Sequence, residues 1–136
     1  MDLSPRAHAA RTPDKAAVVV AETGKSISYR ELEDRSRRLA EVLRGAGLRP
    51  GDHLAVVIGN HLRYFEVYWA AMRSGLYFTP VNTYLTGTEA HYVVQNCGAR
   101  AVVVEARLTD LAATLVGDDL DLRVRLSLDG PLDGFT

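Results

Sequence analysis

Short apolar, β-branched runs alternate along this chain with capped amphipathic stretches about one helix long, and few folds accommodate that rhythm. After a first run at Ala16 to Ala21 come His53 to Ile58, Leu76 to Val81, Ala101 to Val104 and Leu122 to Leu128. The later runs are nearly continuous in apolar residues rather than alternating, as expected of strands covered on both faces of a parallel sheet. Helices between such strands predict an α/β fold: an open, largely parallel sheet with flanking helices and right-handed crossovers.

The N-terminal part departs from that rhythm. Ala16 to Ala21 is followed by Thr23-Gly24-Lys25 and then by the alternating Ser26-Ile27-Ser28-Tyr29, which predicts a β-hairpin turning at Gly24. Ser28 and Glu31 stand at the spacing of a capping box and open a helix whose apolar face carries Leu32, Leu39, Val42, Leu43 and Ala46. Glu33 with Arg37 and Asp34 with Arg38 are expected to pair on its wet side. Gly45 and Gly47 stop it before Pro50. Asn60 is the expected N-cap of a second helix, about Leu62 to Ser74, which Gly75 ends. Its polar residues, Arg63, Glu66 and Arg73, form a narrow stripe, so burial on most sides is expected. Thr86 and Glu89 give a second capping-box pattern, Asn96-Cys97-Gly98 closes that helix, and Leu108 to Val116 predicts another. The last residues, Asp129 to Thr136, read as a loop, so the sequence is expected to be an incomplete piece of a larger domain.

Composition removes several function classes. At 136 residues, 47% of them hydrophobic, the chain can bury one ordinary core or part of one. The formal net charge is -1, and the densest basic cluster, Arg35, Arg37 and Arg38, is interleaved with Glu31, Glu33, Asp34 and Glu41, so no nucleic-acid partner is expected. A single cysteine, Cys97, rules out an intrachain disulfide framework and fits a reducing, cytoplasmic setting. No uninterrupted apolar stretch approaches the roughly 18 residues of a transmembrane segment, and Met1 to Ala10 lacks the apolar centre of a signal peptide.

The residue types that carry chemistry are present without the settings that chemistry needs. Phosphate binding by backbone N–H groups asks for clustered glycines between a strand and a helix start, whereas Arg44-Gly45-Ala46-Gly47 lies at a helix end, where the dipole repels anions. His8, His53, His61 and His91 show no metal-ligand spacing. Cys97 sits at a helix end that disfavours a thiolate. Ser26, Ser28, Ser36 and Ser74 lack the Gly-x-Ser-x-Gly setting of an activated nucleophile. Tyr64, Phe65, Tyr68, Trp69 and Tyr77 are expected in the core, an apolar pocket being the other use for them. The expected lists of catalytic, cofactor-binding and metal-ligating residues are therefore all empty. Ligands of open α/β sheets collect at the carboxyl ends of the parallel strands, which here carry Gly59-Asn60-His61, Asn82-Thr83-Tyr84 and Glu105. Any contact with a ligand is expected at Asn60, His61, Asn82 and Thr83; the plainer alternative has Asn60 capping a helix and Asn82 shaping a turn.

Four stretches carry a wider likeness: Ala9-Ala10-Arg11-Thr12-Pro13-Asp14-Lys15-Ala16-Ala17-Val18; Ile27-Ser28-Tyr29-Arg30-Glu31-Leu32; Gly47-Leu48-Arg49-Pro50-Gly51-Asp52-His53-Leu54-Ala55-Val56; and Ala70-Ala71-Met72-Arg73-Ser74-Gly75-Leu76-Tyr77-Phe78-Thr79-Pro80-Val81-Asn82. Leu85 to Glu89 and Asn96 to Arg100 continue it in the same order. Together they resemble the start of the adenylate-forming superfamily, and within it the N-terminal part of the AMP-forming acyl-CoA synthetases, nearest to the bacterial fatty-acid-CoA ligases.

The resemblance implies that residues 1–136 are the N-terminal portion of the large N-terminal domain of a parent enzyme. That parent would use ATP, Mg and CoA to turn a carboxylic acid into an acyl-adenylate and then a thioester. The family's Ser/Thr/Gly-rich phosphate loop ending in Pro-Lys, its ribose-binding Asp and its C-terminal lysine have no counterpart here, so no catalytic residue carries over and the chain alone is expected to be inactive. An adenylation domain that loads a carrier protein, and a non-catalytic dimerisation module, are the alternatives. The expected partners are the remainder of the same chain and, through an exposed edge or apolar face, a second copy of it.

Overall fold

The computed structural model describes every residue from Met1 to Thr136. A short helix α1 (Pro5–Arg11) precedes a hairpin of β1 (Ala16–Val19) and β2 (Ser26–Ser28), and the chain then runs α2 (Tyr29–Gly45), β3 (His53–Val57), α3 (Tyr64–Arg73), β4 (Tyr77–Pro80), α4 (Gly87–Asn96), β5 (Ala99–Glu105), α5 (Thr109–Ala113) and β6 (Val124–Leu128). The four later strands form one parallel sheet in the order β4-β3-β5-β6, and the hairpin forms a separate antiparallel pair. The expected α/β architecture is the one found.

Period-2 alternation along the central strands divides the core. Leu54, Val56 and Ile58 of the β3 segment, with Ala101 and Val103 of β5, pack under α2 and α3 against Leu43, Val67, Ala70 and Ala71. Ala55, Val57, Val102 and Val104 point the other way, against Ala90 and Val94 of α4 and Leu111, Ala112 and Leu115 around α5. Three layers result, with β3 and β5 buried on both faces, which is why those two segments read as continuous apolar runs.

Ser28 forms a complete capping box: its hydroxyl accepts the Glu31 N–H at 3.2 Å, and the Glu31 carboxylate accepts the Ser28 N–H at 2.8 Å. At Thr86 only half of the expected box forms, with the Glu89 N–H donating to the hydroxyl at 3.2 Å. Gly24, Gly47, Gly75 and Gly98 all take positive φ at the stops the sequence marks.

Other expectations need correction. No helix is expected before the hairpin, yet α1 forms there: it carries no long apolar stripe, and its starting signal is Pro5 at the first position. Helix α3 begins at Tyr64 and Asn60 is not its cap; Arg63 occupies the cap position without a side-chain bond. The predicted pairs within α2 are exchanged: Glu33 reaches across to Arg73 of α3, and Asp34 pairs instead with Arg37. A partner on a neighbouring helix is invisible to spacing rules within one helix.

Candidate functional site

The first crossover runs from β3 to β4 on one side, and the next returns past β3 to β5. The loop leaving β3 therefore goes to the α3 face and the loop leaving β5 to the α5 face, so the chain ends of β3 and β5 form a topological switch point, the usual place for a ligand crevice.

In this chain that point is bridged. Glu105, the buried last residue of β5, accepts the Gly59 N–H at 3.1 Å through one carboxylate oxygen and the Arg107 Nε–H at 2.7 Å through the other. The guanidinium lies across Gly59, and a Cβ built there would stand 2.6 Å from Arg107 Nη2.

Beside the bridge a second ionic group fixes the β3–α3 loop. His61 Nδ1 accepts the Arg63 N–H at 2.9 Å, which puts the ring proton on Nε2, facing the Asp129 carboxylate. Arg63 clasps Glu66 through two bonds of 2.9 and 3.1 Å and lies 3.8 Å from Asp129. Glu66 is only 4% exposed, so the paired guanidinium is what makes its burial tolerable. Its hydrogen bonds in turn hold Arg63 more firmly protonated than an ordinary arginine. Asp129 has a φ of 69°, a left-handed conformation that aspartate accepts more readily than most residues, in the turn leaving β6.

A cleft of about 650 Å³ opens between these strand ends and the hairpin. Asn60, His61, Asn82 and Thr83 all line it, so the structure brings together the four positions expected from strand-end logic. Its apolar wall comes from Ile58, Tyr64, Phe65 and Val81, and its far side from consecutive residues Val18 to Glu22. Burial there pushes the Tyr64 hydroxyl above its ordinary pKa. The core reading of the aromatics is thus divided: Tyr68 packs edge-on against Trp69 and Phe78, whereas Tyr64 and Phe65 wall the cleft and Tyr77 is exposed, stacked on His53 at the opposite end of β3. Asn82 does shape a turn, since its Oδ1 accepts the Tyr84 N–H at 2.9 Å. Sequence reasoning missed the clamp on His61; the Asp129-Gly130 pair just after a strand was its one local sign, marking a turn without naming a partner.

Chemically, the ionisable groups at the strand ends are largely committed to one another, while Glu22, Tyr64 and Thr83 line the cleft as its further polar groups. Both His61 nitrogens are engaged, and Glu105, Glu66 and Asp129 are committed to arginines or to His61. Nothing at this edge fits a nucleotide triphosphate with magnesium: no glycine-rich turn leads into α3, and no three carboxylate, imidazole or thiol groups converge.

Comparison with known proteins places this geometry. The model of the AMP-binding enzyme family matches residues 5–133. A fatty acid–[acyl-carrier-protein] ligase of Streptomyces coeruleorubidus is 34% identical over 98 residues, covering 72% of this chain and 18% of its own length. A feruloyl-CoA synthase of an Amycolatopsis species is 35% identical over 108 residues, covering 79% and 22%. Among solved structures, a benzoate CoA ligase from Burkholderia xenovorans LB400 superposes with a TM-score of 0.78 at 27% identity, over 94% of this chain and 26% of that one. The chain thus spans about a fifth of the length of these curated relatives. With the family model matched from Pro5 to Asp133 and the parallel sheet superposing on a solved ligase, the chain belongs to the AMP-binding enzyme family.

Proposed function

We propose that residues 1–136 form the N-terminal portion of the large domain of an AMP-forming acid–thiol ligase, an acyl-CoA synthetase of the fatty-acid type. The parent joins a carboxylate oxygen to the α-phosphorus of ATP with loss of pyrophosphate. A thiol, that of coenzyme A, then attacks the acyl carbon and AMP departs. The continuous family match over residues 5–133 carries this reading. The single cysteine, and the absence of any helix long and apolar enough to cross a membrane, are compatible with work in the cytoplasm.

The contribution of these residues is architectural: they build one wall of the sheet and fix its strand-end loops. ATP, magnesium and the acyl chain need groups this chain does not present, so in isolation it is inactive. A second acceptor, the thiol of a carrier protein, is favoured by the 34% identity to a ligase of that kind.

The deciding experiment measures pyrophosphate release from ATP with a panel of fatty and aromatic acids, using coenzyme A or a holo carrier protein as acceptor. It is run on this chain and on the longer reading frame that contains it. Activity confined to the longer protein supports the proposal, and the preferred acceptor separates its two forms. Activity in neither favours a non-catalytic module, and turnover by the short chain overturns the reading.

A further inference from the structure

The loops that leave β3 and β4 at the cleft are closed by the same local bond. Asn82 Oδ1 accepts the N–H of Tyr84, two residues on, at 2.9 Å, and His61 Nδ1 accepts the N–H of Arg63, also two residues on and also at 2.9 Å. Asparagine and aspartate are the usual side chains for such a turn. At the exit of β3 an imidazole holds the post, and of these two acceptors it alone belongs to a residue type that changes charge between about pH 5 and 8.

The imidazole is enclosed, with its side chain 14% exposed. Its Nε2 faces Asp129 in the turn leaving β6, so in its neutral form the ring ties two loops together. The other charged or titratable groups around it are Arg63 in its own loop, Tyr64 and Glu66 of α3, Glu105 and Arg107 beside Gly59, and Glu22 across the cleft. Glu66 and Glu105 are taken by arginines, and Arg63 lies 3.8 Å from Asp129, so a cationic ring shares that one carboxylate with a guanidinium. More directly, a proton on Nδ1 leaves two N–H groups aimed at each other across 2.9 Å. A protonated ring can keep Asp129, but it cannot keep Arg63.

We propose that His61 is a proton-operated latch on the cleft. Neutral, it holds the β3–α3 loop closed against the turn leaving β6; protonated, it stays with Asp129 and releases the Arg63 N–H, which loosens the entry to α3. Asn60 and Tyr64, on either side of that bond, line the cleft, so the wall presented there changes with pH. The Asn82 turn stays closed throughout. The inference concerns these two loops and does not depend on which acid or thiol the parent uses.

Nuclear magnetic resonance on the isotope-labelled chain tests it by following the His61 ring nitrogens and the amides of Arg63 and Tyr84 from about pH 8 to about pH 5. At the upper end the ring is expected with its proton on Nε2. As it takes up a second proton, the Arg63 amide is expected to shift with the same midpoint and to lose about fivefold of its protection against hydrogen exchange, as one lost hydrogen bond predicts, while Tyr84 stays steady as the internal reference. His61→Asn supplies a non-titrating acceptor at the Nδ1 position, and the Arg63 amide should then be as steady as that of Tyr84. Circular dichroism shows whether that variant folds, and the wild-type titration decides the matter if it does not. A ring that stays neutral until the chain unfolds overturns the inference, as does a proton on Nδ1 at the upper end. So does an Arg63 amide that ignores the ring, or one that moves equally in His61→Asn.

Discussion

Removing the carboxylate of Glu105 tests the strand-end bridge most directly. In Glu105→Ala the Gly59 N–H loses its acceptor at the end of the most buried strand pair, and a shielded donor left unpaired costs about 1 to 3 kcal/mol. The Arg107 side of the bridge adds little, because that side chain is 59% exposed and screened ion pairs contribute about 0 to 1 kcal/mol. The expected loss is therefore about 2 kcal/mol, which with a urea slope of about 1 to 3 kcal/mol per molar lowers the unfolding midpoint by roughly 1 M. Arg107→Ala should lower it far less, and Glu105→Gln, which keeps an oxygen for Gly59, should fall between. Gly59→Ala is expected to be mild as well: its φ is not positive, and the atom a Cβ would meet is the mobile end of Arg107. If Arg107→Ala costs as much as Glu105→Ala, the ion pair rather than the amide bond holds the edge. If neither variant moves the midpoint, the bridge has no energetic role.

Two further expectations follow from single side chains. Ser28→Ala removes the hydroxyl half of the capping box, leaving the backbone N–H of residue 28 still able to donate to Glu31, and should destabilise by about 1 kcal/mol, seen in a thermal melt as a fall of about 4 °C. Tyr64 has its hydroxyl pKa raised by burial, so the folded state holds that proton more tightly than the unfolded chain; its contribution is intact below the unfolded value near about 10 and is lost as pH rises through the folded one. Tyr64→Phe should therefore flatten the alkaline fall in stability in urea titrations above pH of about 10, and an unchanged slope would show that the hydroxyl is not shielded.

How much of this molecule can be read from its sequence depends on the range of the interaction. The strands β3 and β5, the Ser28 cap and the glycine stops at Gly24, Gly75 and Gly98 are set by neighbours a few residues away, and all of them were legible. Strand-end logic also brought Asn60, His61, Asn82 and Thr83 to one cleft, because a parallel sheet delivers every carboxyl end to the same edge. What escaped was every contact that the sheet order creates. Glu105 meets Gly59 only because β5 lies beside β3, and His61 meets Asp129 only because the chain leaves β6 on the same side. Glu33 likewise prefers Arg73 to the expected Arg37 because α2 and α3 share one face. These distant pairs are the ones that consume the ionisable groups at the candidate site. The sequence therefore shows where a ligand edge lies but not that Glu66, Glu105, Asp129 and His61 are already engaged. Those engaged groups hold the edge in shape.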